Sequence, residues 1–207
     1  MPPIAFRLLL ITDRHRTRGR SLSTVVHDAL ESGAPALQIR ERDVLTRELI
    51  ALSQQIQRMT VGRLVPLLMN DRIDLVLALD LAGVHLRSDS LPVPVARRLL
   101  GAQRLIGLST HSLEEVREAN REGADYVVFG PIFDTPSKKE FGQPLGVQAL
   151  EAVCRESRIP VFAIGGITAG RVPVVRRAGA QGVAVIGAIL SHDDIAAATT
   201  ELLAALQ

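Results

Sequence analysis

The sequence predicts an α/β fold, a (β/α)8 (TIM) barrel spanning residues 1–207 as a single domain. Three observations lead there. Short runs that are apolar on nearly every residue recur eight times in 207 residues, and such strands are buried on both faces. Between them lie longer stretches with apolar residues at helical spacing. The first run ends Thr12-Asp13-Arg14, without the glycine-rich turn that opens a dinucleotide-binding open sheet. A doubly wound sheet is the alternative, and it normally has fewer strands. The repeat of about 25 residues is the barrel's own, although the length is at the short end for that fold.

The elements follow in order. Arg7–Thr12 is the first strand, then a basic loop, Arg14–Arg20, and an amphipathic helix over Ser21–Ser32. Ala36–Arg40 and Val65–Asn70 are the next strands, with helices over Arg47–Met59 and Ile73–Leu79. Gly83–Leu86 precedes a helix over Val95–Leu100. Arg104–Ser109 precedes one over Ser112–Glu122, where Ser112 with Glu115 three residues on forms a capping-box pattern. Asp125–Gly130, Pro160–Ile164 and Gly182–Ile186 complete the strands, with helices over Val147–Glu156, Ala169–Ala178 and Asp193–Leu206.

Composition narrows the function. Hydrophobic residues make up 47% and the mean hydropathy is slightly positive, enough for a full core. A net charge of +2 and 3% aromatics argue against a nucleic-acid stacking platform. The Arg14–Arg20 cluster reads as a solvated loop or as a wall for an anionic ligand. The single cysteine, Cys154, excludes an internal disulfide framework and fits a reducing compartment. It falls in a helical apolar pattern, so a packed position is expected. No apolar run approaches the length of a membrane span and no charged-then-apolar leader opens the chain. The expectation is a cytoplasmic, soluble protein with small-molecule partners, no nucleic acid and no membrane. Assembly into a homo-oligomer is left open.

In a barrel the C-terminal strand ends form the active face. Strand by strand, that rule places there Thr12 and Asp13; Gln38, Arg40 and Arg42; Asn70 and Asp71; His85, Ser88, Asp89 and Ser90; Ser109 and His111; the loop with Thr135, Ser137 and Lys138; Gly165 and Gly166; and Gly187. Hydroxyls, lysines and exposed N–H groups after a buried strand suit a phosphate, with a solvated loop as the alternative. Arg40 and Arg42 beside Asn70 and Asp71 suit a diphosphate with a divalent metal, or else a structural ion pair. Gly165-Gly166 and Ile186-Gly187 bare backbone N–H groups to a phosphate, or serve tight turns. His111 is the acid–base candidate. His85, inside an apolar strand, reads as a core histidine, and His15, His27 and His192 as surface residues without sequence partners.

Together these residues resemble the family of thiamine phosphate synthase and TenI, the thiazole tautomerase. The motifs are Gln38-Ile39-Arg40-Glu41-Arg42, Met69-Asn70-Asp71-Arg72, Gly83-Val84-His85-Leu86, Ser109-Thr110-His111-Ser112, Phe129-Gly130-Pro131-Ile132-Phe133 with Thr135-Pro136-Ser137-Lys138-Lys139, and Ala163-Ile164-Gly165-Gly166-Ile167-Thr168. The resemblance runs nearly end to end and implies a TIM barrel in thiamine biosynthesis. For a synthase it implies that hydroxymethylpyrimidine diphosphate loses its diphosphate while the thiazole phosphate nitrogen attacks the freed methylene. Gln38 then matches the pyrimidine reader, and Arg40, Asn70 and Lys138 match diphosphate contacts. Asp71 matches an Mg2+ ligand and Ser109 a residue near the reacting pyrimidine. Thr135, Ser137, Gly166, Ile186 and Gly187 match the thiazole phosphate pocket. Two positions depart: Arg42 stands where lysine is usual, and Ser90 stands where the second Mg2+ carboxylate is usual, which should weaken the metal. Asp89 is a candidate replacement. Both departures look like TenI, for which His111 matches the proposed acid–base residue. Gln38 and Asp71 favour the synthase, which is the leading expectation. A tautomerase, or a non-catalytic barrel that binds thiazole or thiamine phosphate, is the alternative.

Overall fold

The computed structural model describes residues 4–135 and 143–207. Eight strands close a parallel barrel in chain order: β1 (Leu8–Ile11), β2 (Leu37–Ile39), β3 (Leu67–Asn70), β4 (Gly83–Leu86), β5 (Leu105–Thr110), β6 (Tyr126–Phe129), β7 (Val161–Ile164) and β8 (Gly182–Val185). β8 returns to β1 with Val185 opposite Leu10, so the sheet has no free edge. Each apolar run read as a strand forms one.

The helices are α1 (Leu22–Glu31), α2 (Thr46–Met59), α3 (Ile73–Ala78), α4 (Val93–Leu100), α5 (Leu113–Glu122), α6 (Gly146–Glu156), α7 (Val172–Arg177), α8 (Gly187–Leu190) and α9 (Ile195–Ala205). The stretch expected as one helix over Ala169–Ala178 divides into a 3-10 turn, Ala169–Arg171, and α7. α8 was not expected: one turn is too short to show a 3.6-residue period. The capping box at α5 is half realised. Ser112 Oγ accepts from the Glu115 N–H at 3.1 Å, while the Glu115 carboxylate accepts from the His111 N–H at 2.6 Å, one residue before the expected donor.

The period of two along each strand divides the core in two. Leu9 and Ile11 point inward with Leu68, Tyr126, Val128 and Phe162 and fill the barrel. Leu8, Leu10, Leu37 and Ile39 point outward against the helices. Aromatic contacts fill the interior: the rings of Phe6 and Phe162 are tilted and lie 5.2 Å apart, and those of Tyr126 and Phe162 meet edge-on at 5.6 Å. Cys154 is half-buried against the outer core, and burial pushes its thiol up to about 11, as suits a packed residue.

The Arg14–Arg20 cluster is mostly a clamp. Arg14 pairs with Asp43 at 2.7 Å and Arg18 with Asp193 at 2.9 Å. Arg20 donates to the carbonyls of Leu190, His192 and Asp193, tying the loop after β1 to the loop before α9. The lateral histidines do have partners. His15 Nε2 lies 2.8 Å from Asp43 Oδ2, His27 Nδ1 lies 3.4 Å from Asp28 Oδ1, and His192 Nδ1 lies 2.8 Å from the Asp194 carbonyl. The partner of His15 is a neighbour in the fold that the sequence does not reveal, whereas His27 pairs with the adjacent Asp28 and, at helical i,i+4 spacing, with Glu31 at 3.7 Å. No helix among the described residues is long and apolar enough to cross a membrane.

Candidate active site

Two cavities adjoin at the C-terminal strand ends. The larger, about 410 Å³, is lined by Thr135, Gly165, Gly166, Ile186, Gly187 and Arg171 among others. Gly166 has φ +62°, and a Cβ there would lie 2.6 Å from the Asp134 carbonyl oxygen and 2.8 Å from Phe133 Cβ. Only glycine fits that loop. Gly187 has a different reason: a Cβ would meet nothing closer than Ser191 Oγ at 3.3 Å, so glycine leaves the floor open rather than relieving a clash. The N–H groups of Gly166 and Gly187 reach no acceptor among the described residues. Arg171 donates to the Gly166 carbonyl at 2.6 Å and its guanidinium stands 4.6 Å over the Phe133 ring, which holds the glycine loop in place. The arrangement is a concave pocket with unmatched backbone donors, suited to a phosphate.

The smaller cavity, about 80 Å³, is lined by Gln38, Arg40, Arg42, Asn70, Ser109 and His111, with Arg87 at its edge. Ile164 and Ile186 line both cavities, so the two meet over the barrel mouth. Gln38 is 1% exposed. It donates through Nε2 to Asn70 Oδ1 at 3.2 Å, and its buried Oε1 meets no donor among the described residues. An orphaned buried acceptor costs about 1–3 kcal/mol unless a ligand supplies the donor. Neither Arg40 nor Arg42 has a carboxylate within ion-pair distance among the described residues. Burial, and after it the charge of Arg42, weakens the hold of Arg40 on its proton. Two unmatched guanidiniums side by side call for an anion of more than one charge. Ser137 and Lys138 lie outside the described residues.

Ser109 is held from beneath. His85 Nε2 lies 3.0 Å from Ser109 Oγ and His85 Nδ1 lies 3.1 Å from the Tyr126 hydroxyl. The buried phenol proton has His85 Nδ1 as its acceptor, so Nε2 carries the imidazole proton and donates to Ser109 Oγ. The serine hydroxyl is thereby free to donate into the cavity. Burial lowers His85 to about 4, so the ring is neutral, and burial raises the Tyr126 phenol. His85 is thus the core histidine expected and also the support of a site residue. The register explains the link: His85 pairs with Gly107 and Gly107 with Tyr126, and the bare glycine lets the phenol cross to the histidine. The glycine inside the fifth strand, opposite these two polar residues, was the available signal.

Asp71 sits behind the arginines. Its φ is +60°, an uncommon value for a residue with a side chain. Its carboxylate is already engaged. Oδ1 accepts from the Ser90 hydroxyl in a short hydrogen bond and from the Arg87 N–H at 3.3 Å. Oδ2 lies 2.7 Å from Arg87 Nε, in an ion contact that leaves the Nε hydrogen without an aligned acceptor. The alternative reading, a structural ion pair between Asp71 and Arg40 or Arg42, is not realised; Arg87 pairs with Asp71 instead. Asp89, the candidate replacement ligand, is exposed and points to Arg87 at 3.1 Å. No group of three His, Cys, Asp or Glu side chains able to hold a metal occurs among the described residues. One carboxylate with a matched charge does not fit a resident Mg2+. His111 stands on the arginine side, its Nδ1 3.4 Å from Glu115 Oε2, and does not line the glycine cavity.

Relatives carry the same architecture. A family model described as thiamine monophosphate synthase matches residues 8–189. The thiamine-phosphate synthase of Roseiflexus castenholzii is 45% identical over 193 residues, 93% of this chain and 85% of that protein. That of Clostridium novyi is 41% identical over 199 residues, 96% of this chain and 98% of that protein. Among solved structures, the thiamine phosphate pyrophosphorylase of Pyrococcus furiosus has a TM-score of 0.87 at 34% identity, covering 97% of this chain and 95% of that one. A 3-hexulose-6-phosphate synthase, at TM-score 0.73 and 16% identity, shares the fold alone. With the glycine cavity and the arginine cavity opening beside each other on such a barrel, this chain belongs to the thiamine monophosphate synthase family.

Proposed function

We propose that the chain is a thiamine phosphate synthase, a transferase that joins hydroxymethylpyrimidine diphosphate to thiazole phosphate. The observation that carries this reading is the pair of adjoining cavities, one with unmatched guanidiniums and one with unmatched glycine N–H groups. A bisubstrate reaction between a diphosphate and a monophosphate needs two anion sites whose non-phosphate ends meet. In the reaction the methylene C–O bond breaks, diphosphate leaves with the electron pair, and the thiazole nitrogen forms the new C–N bond. Arg40, Arg42 and Asn70 take up the charge of the leaving group; no strong base is required. Gln38 Oε1 accepts from the pyrimidine, and the Ser109 hydroxyl, oriented by neutral His85, donates to it. Thr135, Gly166 and Gly187 hold the thiazole phosphate, with Ile186 as the wall between the two rings. Mg2+ dependence is proposed to be weak in this chain, because the charge of Asp71 is already matched.

The tautomerase reading gains no support from the position of His111 on the arginine side. The test is one pair of assays: purified protein with both synthase substrates and Mg2+, and separately with the carboxythiazole phosphate tautomer. Thiamine phosphate formation supports the synthase. Tautomer conversion that depends on His111, without thiamine phosphate, overturns it. Ligand binding without either turnover identifies a binding paralogue.

A further inference from the structure

We infer that Arg87 is a diphosphate-binding residue, and that its guanidinium brings to the mouth of the barrel cationic charge that a divalent ion would otherwise have to supply there. This deepens the synthase reading and rests on it. Arg87 directly follows β4 and lines the same cavity as Arg40 and Arg42. It is close enough for its charge to weaken the hold of Arg40 on its proton. Three guanidiniums therefore converge on one opening.

The surroundings of Arg87 set its position without exhausting it. Asp71 Oδ2 neutralises it from behind at 2.7 Å, but the contact leaves the Nε hydrogen without an aligned acceptor. Asp89 holds one end of the fork at Nη2 from the solvent side, at 3.1 Å. The Arg87 backbone N–H donates to Ser90 Oγ at 3.0 Å while Ser90 donates to Asp71 Oδ1, so the serine closes a ring through the arginine's own main chain. Among the described residues Nη1 meets no acceptor, which leaves a donor available to a planar phosphate edge. A carboxylate at position 90 would repel Asp71 and compete for the same guanidinium; a serine donates a proton to Asp71 instead. The departure at Ser90 and the arginine at position 87 are thus one arrangement, in which a fixed cation takes the place beside Asp71.

Calorimetry with inorganic diphosphate tests it, on the whole chain, in EDTA and in millimolar Mg2+. Expected are wild-type binding in EDTA, a loss of about tenfold or more for Arg87→Gln, and a larger gain on adding Mg2+ for the variant than for the wild type. The double variant Arg87→Gln with Asp71→Asn separates contact from masking: it stays weak if Arg87 touches the diphosphate. Melting curves confirm folding, and Arg87→Lys should recover part of the affinity. Wild-type binding only with Mg2+, unchanged affinity in Arg87→Gln, or full recovery in the double variant overturns the inference while leaving the synthase reading intact. A wild type that binds no diphosphate under either condition overturns both.

Discussion

Arginine is used in opposite ways at the base of the barrel and at the centre of its mouth. At the N-terminal end, Arg97 donates to the carbonyls of Gly101 and Arg104 and pairs with the buried Asp125 carboxylate at 2.6 Å. Arg7 donates to the Leu206 carbonyl, Arg104 pairs with Asp80, and Arg176 donates to the Gln181 carbonyl. Those guanidiniums hold helix ends and strand starts together. At the centre of the C-terminal mouth, among the described residues, Arg40 and Arg42 have no carboxylate within ion-pair distance, Arg87 is partly matched, and Gln38 Oε1 and the N–H groups of Gly166 and Gly187 stand unpaired. The same residue type provides stability where its charge is matched by the protein, and recognition where the match is left to a ligand.

The largest effect expected at the open end is from Gly166→Val. A side chain at φ +62° meets Asp134 and Phe133 and fills the cavity, so thiazole phosphate binding should vanish by calorimetry. Unchanged affinity would show that the glycine serves only the turn. Next, Arg40→Ala should lower kcat/KM for the pyrimidine diphosphate by roughly 10²–10³-fold, as loss of a donor to developing charge does. Its melting temperature should not fall, because the removed charge has no partner; a large fall would move Arg40 into the stabilising class.

Arg97→Met should do the reverse. It strands the Asp125 carboxylate and should cost about 3 kcal/mol in urea unfolding, with kcat/KM within about twofold of wild type. A matching loss of activity would mean that the two ends are not separable. Smaller is the pH effect of His85. It is neutral when folded, with a value of about 4, whereas the unfolded imidazole protonates near 6.5. Stability from this group is therefore full above pH 6.5 and is lost as pH falls towards 4, by on the order of 3 kcal/mol at most. Wild type minus His85→Asn, followed by urea titration across that window, isolates it; parallel curves would remove the claim. Smallest is His111→Asn, exposed and tied to Glu115, which should change thiamine phosphate formation by less than about tenfold, below the usual general acid–base contribution. A hundredfold loss would give His111 the proton-moving role.

Much of this was legible in residues. Runs such as Leu8–Ile11 and Tyr126–Phe129 are buried along their whole length, so uninterrupted apolarity located them. Once eight such runs imply a barrel, Gln38, Arg40, Asn70, Ser109 and Gly166 follow as strand-end residues, and the described ones do gather at one mouth. Arg171 was not found, because its role depends on a bend between a 3-10 turn and α7 that brings it over Phe133. Tyr126 was hidden inside an apolar strand, and only the vacancy at Gly107 shows that its hydroxyl reaches His85.

Strand count, the order of the longer helices and the identity of the residues at each strand end were determined by the sequence alone, since they rest on local period and on backbone rules that act over a few residues. Which arginine is matched and which is free was decided only by the tertiary structure. Asp71 and Arg87 lie 16 residues apart, each just past the end of one of two neighbouring strands, and meet because β3 and β4 pair with Asn70 opposite His85. Charge pairing falls off over a few ångströms, and positions at that scale are set by strand register and loop path, which no pattern of residue types along the chain specifies.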